Sequence, residues 1–117
     1  MSYMLLIIEP VGQRETRTEA EGRQAYAVMR QFADELAAKG LLVSAESLAS
    51  QKDGARVQVR SGKAQVVDGP FAEAKEMIGG FFLLSCRTRD EALAIAQACP
   101  AAQWATVEVR PLAPCYE

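Results

Sequence analysis

Histidine is absent from all 117 residues of the chain. Without an imidazole there is no histidine general base, no Ser–His or Cys–His nucleophile pair and no histidine-ligated metal. Cysteine is sparse. Cys86, Cys99 and Cys115 are odd in number and far apart, with no Cys-x-x-Cys spacing, which argues against a disulfide framework and a thiolate zinc site. An excess of positive charge is also missing: 13 Lys+Arg stand against 15 Asp+Glu, for a formal net charge of -2. A dedicated nucleic-acid binder would show a basic surplus. Long hydrophobic runs are lacking too. No stretch reaches the ~18 consecutive apolar residues of a membrane helix. The run Tyr3 to Ile8 is too short for the apolar part of a signal peptide and has no basic residue ahead of it. Together these features predict a cytoplasmic protein with reduced thiols, no cofactor, no nucleic acid and no membrane partner.

Hydrophobic residues make up 50% and charged residues 24%, the ordinary balance of a folded globular chain. The length supports a single domain over residues 1–117. A chain this long buries roughly two-thirds of its unfolded surface, so a core can form without staples. Met4 to Ile8 is a continuous apolar run and predicts a buried strand. Residues 18–39 predict a long helix. Thr18 and Glu21 have capping-box spacing, and Ala25, Met29, Phe32 and Leu36 fall on one face. Gly40 can take the left-handed position that ends it.

A strand is expected over Leu41 to Leu48. Arg56 to Arg60 alternates polar with apolar, Ser61-Gly62-Lys63 signals a turn, and Ala64 to Val67 returns, which together predict a hairpin. Asp68-Gly69-Pro70 breaks it. Phe71 to Ile78 is expected as a short helix, with Pro70 near its first turn and Gly79-Gly80 at its end. Phe81 to Cys86 predicts another strand. A second capping box, Thr88 with Glu91, opens a helix that Pro100 stops, with Ala92, Ala96 and Cys99 on one face. Thr106 to Arg110 alternates as a last strand.

With the hairpin set aside, the order is βαββαβ, the ferredoxin-like α+β pattern. Its helices cover one face of an antiparallel sheet, and the other face needs cover. In so small a chain the obvious cover is a second copy, so a homodimer enclosing a cavity is expected.

Residues 66–84 read VVDGPFAEAKEMIGGFFLL. Asp68-Gly69-Pro70-Phe71, Glu73, Lys75, Glu76 and Gly79-Gly80-Phe81 resemble the DGPF group of the YCII-related superfamily. The flanks, Tyr3-Met4-Leu5-Leu6 and Val107-Glu108-Val109-Arg110-Pro111, agree with it. The resemblance covers nearly the whole chain. It implies a dimeric ferredoxin-like α/β barrel. It also implies association with extracytoplasmic-function sigma factors, beside or fused to which some members occur. Some relatives in the wider superfamily are small-molecule enzymes, including a dehydrochlorinase acting on a chlorinated hydroxyquinol. Those use a His–Asp pair, which has no counterpart here.

The residues of this segment carry two readings each. The Asp68 carboxylate either accepts backbone N–H bonds in its turn or acts as a base or ligand acceptor in a cavity, where burial would have to raise its pKa. Phe71 is either core or an apolar pocket wall. Glu73 and Glu76 share a face at i, i+3 spacing, with Lys75 elsewhere, and either form a solvated surface or bind a polar or cationic ligand. No metal is assigned to them. Gly79-Gly80 gives either a tight connection or close backbone approach to a ligand. Arg110 either clamps an anion or forms an ion pair. Trp104 is expected in a core or subunit interface. These residues predict a small-molecule-binding or regulatory module, its pocket bordered by Asp68 to Glu76. The alternatives are a lyase or isomerase using Asp68 for proton transfer, with Lys75 or Arg110 holding substrate charge, and a protein-interaction subunit.

Overall fold

The structure is a computed structural model and describes residues 2–117. Strand β1 spans Tyr3–Pro10 and lies at the centre of the sheet. It alternates: Tyr3, Leu5, Ile7 and Glu9 are buried, while Met4, Leu6 and Ile8 are half-buried. The run is apolar on both faces, yet only one face is covered by the helices.

Helix α1 (Glu19–Ala38) starts at the expected cap. The Thr18 hydroxyl accepts from the Glu21 N–H at 3.1 Å, and the Glu21 carboxylate accepts from the Thr18 N–H at 2.8 Å. Phe32 and Leu36 are buried, and Ala25 and Met29 on the same stripe are half-buried. Gly40 follows the helix with φ of 71°. Strand β2 (Leu42–Ser47) comes next. The hairpin consists of β3 (Ala55–Arg60) and β4 (Lys63–Asp68). Its turn residues Ser61 and Gly62 both have positive φ, 52° and 75°, which suits the twist of a two-residue hairpin turn.

Residues 71–78 are not helical. Phe71 to Lys75 forms turns, and β5 begins at Glu76 and runs to Leu84. Ala, Glu, Lys and Met give this stretch a local preference for helix, but Glu76, Met77 and Ile78 pair with Pro10, Glu9 and Ile8 of β1. Tertiary pairing overrides a preference worth only tenths of a kcal/mol per residue (~0.7 at most). Gly79 and Gly80 therefore lie inside the strand. Helix α2 (Arg89–Ala98) is capped by Thr88, whose hydroxyl accepts from the Glu91 N–H at 3.1 Å. Ala92, Ala96 and Cys99 are all buried. Strand β6 (Thr106–Pro111) closes the fold.

The four-stranded antiparallel sheet has the order β2-β5-β1-β6. Both helices lie against one face, giving the ferredoxin-like α+β arrangement. The core between the layers joins Tyr3, Leu5 and Ile7 to Phe32, Leu36, Phe82 and Leu84, with Phe32 and Phe82 edge to face at 5.4 Å. Leu5 and Leu84 are fully buried, each contributing on the order of 2 kcal/mol of transfer free energy. The β3–β4 hairpin is a separate two-stranded sheet whose twelve strand positions are all exposed. It projects from the body. The radius of gyration is 16.1 Å, where a compact chain of this length has roughly 13 Å.

Candidate functional site

A cavity of about 550 Å³ lies between the first half of α1 and the sheet. Small-molecule sites commonly fall in the range of roughly 300–1,000 Å³. Tyr26, Met29 and Ala33 of α1 form an apolar side, Trp104 lines another part, and Gly79 and Gly80 of β5 form part of the floor.

A buried carboxylate lines the same space. The pleat of β1 turns Glu9 to the same face as Leu5 and Ile7, and it is only 6% exposed. Its partner is Arg14, in the short turn after β1. Arg14 Nη2 lies 2.6 Å from Glu9 Oε1, and Nε donates to both carboxylate oxygens at 3.1 and 3.3 Å. Arg14 Nη1 donates to the Leu48 carbonyl at 2.9 Å, and the Leu48 N–H donates to the Gly79 carbonyl at 2.9 Å. One guanidinium thus ties β1, the β2 exit and β5 together.

Gly79 makes room for this pair. It is the extra residue where the β1–β5 register shifts, between the pairs Ile7–Gly80 and Ile8–Ile78. A Cβ on Gly79 would lie 1.8 Å from Glu9 Oε1 and 2.9 Å from Arg14 Nη2. On Gly80 it would lie 2.8 Å from the Glu46 carbonyl oxygen. The double glycine permits close approach by side chain and backbone of this chain.

Of the residues that the sequence singled out, Gly79, Gly80 and Trp104 line the cavity, and the proposed ligand-binding set lies elsewhere in the fold. None of Asp68, Phe71, Glu73, Lys75, Glu76 and Arg110 lines the cavity. Asp68 ends β4 opposite Ala55 and is exposed. Phe71 is buried under Arg56, whose guanidinium carbon lies 3.9 Å from the ring centroid. The same Arg56 pairs with exposed Glu73 at 2.9 Å. Phe71 and Glu73 thus come together at the hairpin base. Lys75 is exposed, and its carbonyl accepts from the Val11 N–H at 2.9 Å. Glu76 begins β5 opposite Pro10. Arg110 is on β6, at the far edge of the sheet from β2, paired with Glu108 at 2.6 Å.

Glu9 and Arg14 escaped sequence reasoning. The available signal was parity: Glu9 continues the Tyr3, Leu5, Ile7 series and so shares their face. Trp104 is half-buried against the core as well as lining the cavity.

The family model of the YCII-related domain matches residues 1–115. The chain belongs to the YCII-related domain family. It is similar to an uncharacterised protein of Rhizobium meliloti (strain 1021), 38% identical over 93 residues, which span 78% of this chain and 72% of that protein. The YCII-related fold here therefore carries the cavity on its helix side. No helix is long and apolar enough to cross a membrane among the described residues. Burial raises the thiol pKa of Cys86 and Cys99. Hydrogen bonds from the Thr18 backbone and side chain hold the Glu21 carboxyl below its ordinary value.

Proposed function

We propose that this YCII-related protein, of the DGPF group by its Asp68-Gly69-Pro70-Phe71 motif, is a small-molecule-binding or regulatory module whose ligand occupies the cavity between α1 and the sheet. The observation that carries this reading is the cavity itself: about 550 Å³, with an aromatic and aliphatic side and a buried carboxylate fixed by a guanidinium. Apolar walls with a few fixed polar groups are the usual make-up of small-molecule sites. Glu9 and Arg14 satisfy each other, which favours a role in shaping the pocket over proton transfer.

The working unit in this reading is a homodimer. The sheet face away from the helices presents Met4, Leu6 and Ile8 of β1 beside Ile78, Phe81 and Leu83 of β5, and Ile78 is 47% exposed. An apolar sheet face of this kind needs cover, and the same face of a second copy is self-complementary.

The test is a fragment screen by ligand-observed NMR on the wild type beside an Ala33→Phe variant. Ala33 faces the cavity from α1, so the added ring intrudes on its apolar side. Hits that lose their signal with the folded variant support the reading. Hits that bind both proteins equally would place the ligand elsewhere and overturn it. Native mass spectrometry of the same samples reports the oligomer, and a monomer would remove the dimer from this account.

A further inference from the structure

We infer that the cavity takes a small organic carboxylate, with Arg17 as the residue that binds its anionic end. This deepens the reading of the cavity as a ligand site and rests on it. Four cations line the cavity: Arg14, Arg17, Arg23 and Arg30. Arg14 is saturated by Glu9 and by the Leu48 carbonyl. Arg23 pairs with Glu19 at 2.8 Å, and Arg30 lies 3.9 Å from Asp34. Arg17 alone of the four has no carboxylate within ion-pair distance among the described residues. Nearby Glu21 feels the Arg17 charge, but it lies outside ion-pair distance and its Oε1 accepts from the Thr18 N–H.

Arg17 is also held in position. It is half-buried, and its guanidinium carbon sits 5.7 Å from the centroid of the Trp104 ring. A guanidinium over an indole face gains from the ring quadrupole and keeps its donor edges free for another group. Its fixed fork fits two oxygens of one carboxylate. With one unpaired guanidinium in place, the charge balance fits a monoanion better than a phosphate. The other charge to weigh is Glu46. Its neighbour Ala45 packs against the core opposite Phe82, so strand alternation turns the Glu46 side chain to the other face. What Glu46 brings near the floor is its backbone carbonyl, over Gly80. The cavity thus joins one free cation to the apolar side made by Tyr26, Met29 and Ala33, which suits a carboxylate with a hydrocarbon body.

Trp104 is the sole tryptophan, so its fluorescence reports events at Arg17 directly. The experiment titrates the full chain with benzoate and phenylacetate, and with the matched neutral amides benzamide and phenylacetamide. Binding is read by Trp104 emission and by amide shifts of cavity residues. The acids are expected to bind about tenfold or more tightly than their amides, since a charge-assisted hydrogen bond is lost in each amide. Arg17→Gln should abolish that preference, and Arg17→Lys should keep part of it. Equal binding of acid and amide, or an unchanged preference in Arg17→Gln, would overturn the assignment of Arg17 while leaving the cavity as a ligand site. If neither acids nor amides shift the cavity residues at millimolar concentration, both the assignment and the underlying reading fall.

Discussion

Replacing Gly79 by alanine adds one carbon at the most crowded of the glycine positions. The new Cβ would stand 1.8 Å from Glu9 Oε1, 2.8 Å from Glu9 Cδ and 2.9 Å from Arg14 Nη2. The Glu9 carboxylate would have to retreat by well over an ångström, at the expense of its contacts to Arg14 at 2.6 and 3.1 Å. Arg14 cannot follow freely, because Nη1 is held by the Leu48 carbonyl. Overpacking alone costs roughly 1–3 kcal/mol. Breaking a buried pair outright costs roughly 3–5 kcal/mol. An intermediate loss of about 3 kcal/mol is expected, which lowers Tm by roughly 12 °C in a domain of this size. Urea denaturation of Gly79→Ala, Glu9→Ala and the double variant measures it. Removing the Glu9 side chain clears the clash, so the double variant should be more stable than the summed single losses by about 1–2 kcal/mol. Strict additivity, or a Gly79→Ala loss below about 0.5 kcal/mol, would refute the account of Gly79 as space for the ion pair.

Four further outcomes are expected. Thr18→Ala and Thr88→Ala should each cost about 1 kcal/mol in urea unfolding through loss of an N-cap; no loss at Thr18 would contradict its capping box. The folded-state carboxyl of Glu21 lies below its ordinary value of 4.5, so its contribution is present above that pH and disappears as pH falls through the lower folded value. The stability gap between wild type and Glu21→Gln should accordingly close in acid, and a gap that widened instead would contradict the sign. In the native protein an aromatic disulfide reagent should modify Cys115 quickly, leaving Cys86 and Cys99 to react only in denaturant, because both are buried and their thiol pKa values are raised. Rapid modification of two thiols in the native state would show that one of those sites is open. At the hairpin base, Gly69→Ala should destabilise more than Gly54→Ala, since its Cβ would lie 2.0 Å from the Gln51 carbonyl oxygen against 3.3 Å at Gly54, and thermal melts would rank them.

The layered fold was legible because its signals are local. Thr18 with Glu21, and Thr88 with Glu91, mark both helix starts through hydrogen bonds spanning three residues. Ser61-Gly62 marks the hairpin turn because its backbone needs positive φ at both residues. The stretch from Phe71 to Ile78 misled because its residues suit a helix, whereas its second half is a strand only by pairing with β1, about 70 residues away in sequence. The cavity was less legible still. Its ion pair joins Glu9 to Arg14 around a strand end, and its floor is a bulge whose register no local pattern encodes. The double glycine was visible, but the groups that approach it are the Glu9 side chain from β1 and the Glu46 carbonyl from β2. Trp104 offered no periodic signal that would bring it to Arg17.

The hairpin leaves and rejoins the body at one point, where the Gly69 N–H donates to the Gly54 carbonyl at 2.8 Å. Beyond Arg56, which still touches Phe71 and Glu73, the arm can change in length without the body registering it. Residues added in pairs at the turn end, one to each strand beyond Val59 and Ala64, would keep Val57, Val59 and Val66 on one side, whereas a single insertion within one strand would invert part of it relative to the other. Lengthening the closed loop adds little entropy cost, about 0.6 kcal/mol for each doubling. The arm is therefore a natural place for foreign sequence, such as an epitope or a labelling site, carried on the YCII-related scaffold while its cavity stays as it is.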